Sequence, residues 1–340
     1  MRDGFHSPWW LPGGHLQTIY PLWRKPSPPT YRRERVDTPD GDFVDFDWLD
    51  DGERTHSAPL VVLFHGLEGS SQSHYARSLM RTLASIGWRG VVPHFRGCSG
   101  EPNRLLRAYH SGDSDEIDWM LRLIVQRNHG PVYAAGVSLG GNALLKWLGE
   151  RGPSARAQVL AAAAVCAPLD LSVSGRALER GFNRVYTRHF LDTLIRKAEL
   201  KHAHMPGGFD VQRARRARSL FEFDDAYTGP VHGFAGANDY WRRASSRPWL
   251  HAIDVPTLLI APRNDPFVPP AALPAASELS SAVSLERPAS GGHVGFLRGP
   301  WPGTLDWLPQ RLLDHFRALS GERAQCKHLL GHHPDTAHQG

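Results

Sequence analysis

The sequence predicts an α/β fold: a mostly parallel, eight-stranded sheet with helices on both faces and an inserted helical cap. Three observations predict it. From residue 60 to 166, short apolar runs alternate with stretches of helical spacing, the pattern of a parallel sheet covered on both faces. Between 170 and 250 a long amphipathic pattern replaces this alternation. The alternation resumes at 256.

In chain order, residues 1–35 are rich in Trp, Pro and Gly, show no clear periodicity, and read as an extended arm around the body. Residues 34–50 turn at Pro39-Asp40-Gly41 and read as a hairpin. Strands are expected near 60–64, 90–94, 131–135 and 158–166, and helices near 74–86, 113–127 and 139–150. In the insertion, Leu178, Phe182, Val185, Phe190, Leu194 and Ile195 mark an apolar side expected to help line a pocket. Strands at 256–261 and 283–287 and a helix at 304–319 complete the core. The expected division is therefore an arm (1–35), a core (36–169 and 251–320), a cap (170–250) and a disordered tail (321–340). His328, His332, His333 and His338 in the tail have no acidic or cysteine partners at ligand-like spacing, so a metal site is not expected there.

Gly136-Val137-Ser138-Leu139-Gly140 is a G-x-S-x-G motif in a telling context. The apolar run Pro131-Val132-Tyr133-Ala134-Ala135 precedes it, and the helical pattern Asn142 to Leu148 follows. Strand, sharp turn and helix form the nucleophile elbow of α/β-hydrolases. Ser138 then sits at a helix N-terminus, where backbone N–H groups favour developing negative charge. Such elbows take an acid and then a histidine downstream. Asp265, in Pro262-Arg263-Asn264-Asp265-Pro266, follows a strand-like run, and His293 lies in the glycine-rich Ser290-Gly291-Gly292-His293. His293 is the expected base and Asp265 the group that orients it. The rival acid is Asp170 after the apolar run 158–166, a position that also suits a helix N-cap. The strand 60–64 leads into His65-Gly66-Leu67-Glu68-Gly69, so the amides of Leu67 and Leu139 are the expected oxyanion donors. His65 reads as structural, and Cys98 as a small residue in a tight loop.

Composition narrows the alternatives. A chain of 340 residues with 41% hydrophobic and 21% charged residues reads as a globular protein, without a secretory leader or an 18-residue apolar span. Three cysteines, Cys98, Cys166 and Cys326, make no disulfide framework and fit a cytoplasmic location. Net charge is +5, and residues 176–218 carry 11 basic against 4 acidic side chains. Arg176, Arg180, Arg184 and Arg188 recur every fourth residue and are expected to form a stripe on one helix face. A solvated face is the simpler reading, and attraction to anionic headgroups or substrates is the alternative. Neither a cofactor, a metal nor a nucleic-acid partner is expected.

The residues together resemble the YheT-like branch of the α/β-hydrolases, also called AB-hydrolase family 4, over roughly 5–318. The N-terminal signature is Trp9-Trp10-Leu11-Pro12-Gly13-Gly14-His15-Leu16-Gln17-Thr18. Arg96-Gly97-Cys98-Ser99-Gly100 through Tyr109-His110-Ser111-Gly112 is similar to the loop after the fourth strand, and Asp239 to Ser245 to the cap-to-core segment, with Trp241 where Tyr is usual. Asn264-Asp265-Pro266-Phe267 and Gly292-His293 match the acid and base motifs. The resemblance implies Ser138, Asp265 and His293 as the triad and esters as substrates. Members are described as esterases, as medium-chain phospholipases in animals and as ester-forming acyltransferases in yeast. Animal members carry an N-terminal membrane anchor, which this sequence is read as lacking. The expected reaction is hydrolysis of short- to medium-chain acyl esters without stable membrane insertion, weak surface contact remaining open. Acyl transfer, phospholipid hydrolysis and a catalytically silent small-molecule binder are the alternatives; oligomeric state stays open.

Overall fold

The computed structural model describes residues 4–49 and 57–330. Eight strands form one sheet: β1 (Tyr31–Asp37), β2 (Phe43–Leu49), β3 (Leu60–Phe64), β4 (Arg89–Pro93), β5 (Val132–Val137), β6 (Ala161–Val165), β7 (Thr257–Ile260) and β8 (Val283–Glu286). Their order is β1-β2-β4-β3-β5-β6-β7-β8. The β1–β2 and β2–β4 pairings are antiparallel, and all others are parallel.

Alternate residues of each central strand enter opposite layers. Leu60, Val62 and Phe64 pack with Ile117 and Trp147 on one face. Val61 and Leu63 pack with Leu79, Leu83, Leu312 and Phe316 on the other. The first layer is covered by α3 (Ser114–Gln126) and α4 (Leu139–Arg151), the second by α2 (His74–Ser85) and α11 (Trp307–Leu330). This two-sided cover explains why β3 reads as Leu-Val-Val-Leu-Phe without a polar residue.

Two expectations need correction. The arm is not wholly extended, because Gly14–Trp23 forms a helix, α1. Its buried residues are Gln17, Thr18 and Pro21, so hydrophobic periodicity does not reveal it. The C-terminal helix does not end near 319 but continues to Leu330, which makes the first part of the expected disordered tail helical. His332, His333 and His338 lie outside the described residues.

Between β6 and β7 the chain builds α5 (Leu171–Leu178), α6 (Asn183–His204), α7 (Val211–Arg216), the short turns α8 (Leu220–Phe223) and α9 (Gly229–Val231), and α10 (Ala237–Ala244). A π-helical turn, Asp224–Thr228, joins α8 to α9. The arginine stripe is broken: α5 ends at Leu178, and Gly181 turns the chain at φ 53° before α6 begins. Arg176 and Arg188 therefore sit on different helices, although all four arginines are exposed. Asn142 of α4 ties this insertion to the core. Its amide donates to the Ser111 and Ala244 carbonyls and accepts from the Ser246 N–H at 2.8–3.0 Å.

Candidate active site

The β5–α4 junction is a contact of backbone on backbone. A Cβ on Gly136 would lie 2.5 Å from the Gly140 carbonyl oxygen, and one on Gly140 would lie 2.5 Å from the carbonyl oxygens of Phe64 and His65. Only glycine fits either position. Ser138 between them holds φ 53° and ψ −119°, a region costly for any residue with a side chain. The Ser138 N–H donates to the Val165 carbonyl at 2.8 Å, and the serine occupies the N-cap position of α4.

Asp265 follows β7, and His293 follows β8. His293 Nε2 stands 3.0 Å from Ser138 Oγ, and Nδ1 stands 2.9 Å from Asp265 Oδ2. The carboxylate only accepts, so Nδ1 carries the proton and Nε2 is free to accept from the serine hydroxyl. The Phe267 N–H holds Asp265 Oδ1 at 2.8 Å, and the Phe267 ring stacks on the imidazole with centroids 4.2 Å apart. Asp170 stands elsewhere: it caps α5, accepting from the Val173 N–H at 3.1 Å.

The model of the family described as alpha/beta hydrolase fold matches residues 59–300. YheT of Escherichia coli (strain K12) is 41% identical over 304 residues, covering 88% of this chain and 89% of the relative. Phospholipase ABHD3 of Homo sapiens is 30% identical over 336 residues, covering 94% and 82%. The Pyrococcus furiosus esterase Pf2001 aligns with a TM-score of 0.51 at 14% identity, over 85% of this chain and 92% of that one, a likeness of fold. The chain belongs to the YheT-like α/β-hydrolases. It is an enzyme, a hydrolase.

In this α/β-hydrolase the loop after β3 crosses directly over the elbow. A Cβ on Gly66 would lie 3.2 Å from that of Ser138. Among the described residues, no loop or turn acceptor takes the N–H of Leu67 or Leu139, and both residues line the cavity that holds Ser138 and His293. The next residue, Glu68, is strained at φ 54°. Tyr109 holds it in place: its hydroxyl accepts from the Glu68 N–H at 2.9 Å and donates to Glu68 Oε1 at 2.7 Å. Lys197 of α6 reaches the same oxygen at 2.8 Å. His65 is fully buried, and burial lowers its pKa to about 3; its Nε2 accepts from the Phe95 N–H at 3.1 Å. Burial pushes the Cys98 thiol up to about 12. Neither residue is suited to proton transfer or attack near neutrality.

The cavity measures about 480 Å³ and is walled on the insertion side by Leu178, Phe190, Leu194, Leu220, Phe223 and Trp241. Phe182 and Val185, expected on the same apolar side, are instead exposed: Phe182 precedes α6, and Val185 lies on the opposite face of α6 from Leu194. Lys197 and Lys201 also reach this wall. The Lys201 ammonium donates to the carbonyls of Asn103 (2.7 Å) and Leu105, and burial lowers its pKa to about 8.

The structure brings Ser138, Asp265 and His293 together, and the linear sequence did not reveal what holds them there. Gln17 Oε1 accepts from the Gly291 N–H at 2.9 Å and from Asn264 Nδ2 at 2.8 Å. Asn264 Oδ1 accepts from the Gly292 N–H at 3.0 Å, and Thr18 Oγ1 from the His293 N–H at 2.8 Å. The only signal was the N-terminal signature itself, whose Gln and Thr had no role in the linear sequence. Cys166, Asp265 and His293 present potential ligand atoms within 4.8 Å of one another. These atoms are already engaged: Asp265 and His293 bond each other, and Cys166 Sγ accepts from the Val294 N–H at 3.3 Å.

Proposed function

We propose that this hydrolase of carboxylic esters acts on short- to medium-chain acyl esters through Ser138, His293 and Asp265. The observation that carries the reading is the hydrogen-bonded line Ser138 Oγ, His293 Nε2, His293 Nδ1, Asp265, with steps of 3.0 and 2.9 Å. His293 takes the proton as Ser138 Oγ bonds to the acyl carbon. The Leu67 and Leu139 amides stabilise the tetrahedral oxyanion, each donor contributing about 3–4 kcal/mol by analogy with comparable sites. The acyl–oxygen bond then breaks, and His293 returns the proton to the departing alcohol. Water gives its proton to His293, its oxygen bonds to the acyl carbon, and the freed acid leaves with Ser138 restored. The segment 170–250 acts as a cap whose apolar wall receives the acyl chain. A phospholipid ester is the second reading. Lys197 and Lys201 at the cavity wall favour it, as does the likeness to a relative named phospholipase.

The test is a p-nitrophenyl ester panel of increasing acyl length, run on wild type and Ser138→Ala, with fluorophosphonate labelling. Chain-length-dependent hydrolysis and labelling at Ser138 support the reading. Activity that survives in Ser138→Ala, or labelling elsewhere, overturns it. Hydrolysis of phosphatidylcholine faster than of the simple esters would favour the second reading.

A further inference from the structure

Helix α1 is inside out. Its polar side chains Gln17 and Thr18 are buried against the His293 loop, while Leu16, Leu22 and Trp23 face solvent. The apolar surface continues to either side. Trp10 Nε1 donates to the Gly299 carbonyl at 3.1 Å, and the Tyr20 hydroxyl to the Pro302 carbonyl at 3.2 Å. These bonds bring the 299–302 turn and its Trp301 beside the helix. On the other side His15 meets the Phe182 ring with centroids 4.7 Å apart, which adds Phe182 and Val185. Trp9 is 92% exposed, Trp23 76% and Trp301 74%, and the Trp10 and Tyr20 bonds join the three segments that carry them.

Cations border the patch. Arg24 and Lys25 are exposed just past α1. His15, Arg176, Arg180 and Phe182 line a shallow groove next to it. The ion pairs of the neighbouring helices use Lys197, Arg213 and Arg215. Arg176, Arg180, Arg184 and Arg188 have no carboxylate partner among the described residues. Exposed tryptophans set among unpaired cations match the chemistry of an anionic lipid surface, with indole rings at headgroup depth and guanidinium groups on phosphates. A second copy fits less well. A two-fold contact through this patch would bring the same cations together.

We propose that the outer face of α1, with Trp301 and the α5–α6 turn, docks this enzyme on an anionic lipid surface. Docking is peripheral: among the described residues no helix is long and apolar enough to cross a membrane. The same helix bonds the His293 loop through its inner face, so the catalytic histidine would sit one helix thickness from the lipid.

The experiment is vesicle flotation of the full chain. Phosphatidylcholine vesicles are compared with vesicles that also contain phosphatidylglycerol, at low and at physiological salt. Wild type should float with the anionic vesicles, less so as salt rises. Leu16→Ser/Trp23→Ser should lose at least ~10-fold in partitioning. Arg176→Gln/Arg180→Gln should lose about fivefold per charge, together with much of the salt dependence. Both variants should hydrolyse a soluble p-nitrophenyl ester as wild type does, which separates failure of docking from failure of the esterase reading. Absence of flotation at low salt overturns the proposal, as does wild-type binding by both variants. A solution dimer that Leu16→Ser/Trp23→Ser dissolves would also overturn it, because a second copy would then cover the face.

Discussion

The elbow and the insertion are built on opposite principles. At the elbow, backbone meets backbone, and neither Gly136 nor Gly140 leaves room for a Cβ. In the insertion, Gly181 and Gly207 face open space, and the cavity wall consists of side chains such as Leu178, Phe190 and Leu194. Close backbone contact fixes the geometry at the elbow, whereas side chains wall the cavity on the insertion side. Changes in the first region should alter how fast any ester is cleaved. Changes in the second should alter which ester is preferred.

The largest effects should fall on the rigid side. Ser138→Ala should lose at least ~10³-fold in kcat with the fold intact. Asp265→Asn should lose about 10⁴-fold by imposing the wrong imidazole tautomer, while Asp170→Asn keeps near wild-type activity. The reverse ranking of the two aspartates would show that the acid had been misplaced. Thr18→Val removes the acceptor of the His293 N–H and should lower kcat by roughly tenfold, the scale of one buried unsatisfied donor. KM should hold steady, since Thr18 does not itself line the cavity. Phe190→Ala and Leu194→Ala should shift the preferred acyl length and leave acetyl ester turnover within about threefold, because each removes wall without moving the triad. An equal loss on acetyl and octanoyl esters would erase the contrast between the regions.

The smallest effect is one of stability. Asp224 of the π-helical turn accepts from Trp241 Nε1 at 2.7 Å, and burial raises its pKa from 3.8 to about 6. The folded state therefore holds a proton that the unfolded state releases, so stability declines as pH rises from about 4 to about 6. Asp224→Asn lacks this decline. Its melting temperature should match or trail wild type near pH 4 and gain on it by pH 8. Parallel melting curves across that range would mean that the burial is relieved by water.

The sheet and the proposed triad were legible because each has a linear signature. Val61 and Leu63 sit in an unbroken apolar run, and Ser138, Asp265 and His293 each follow a strand in the required order. The turn at Gly181 was hidden by a four-residue arginine spacing that runs straight through it, and Phe182 and Val185 were assigned to the wrong face. Helix α1 was hidden for a different reason. Sequence periodicity detects a helix that buries apolar residues, and this one buries Gln17 and Thr18. Their partners, Asn264, Gly291 and His293, are specified by tertiary contact alone.

The bond between Thr18 and the His293 N–H spans 275 residues of chain. During synthesis Thr18 emerges first, then Ser138, and His293 last of the three. Until His293 has emerged, Ser138 lacks its proposed base and should stay unactivated. Ribosome-stalled chains ending before residue 290 should bear the serine yet resist fluorophosphonate, and release of the last loops should bring labelling on abruptly.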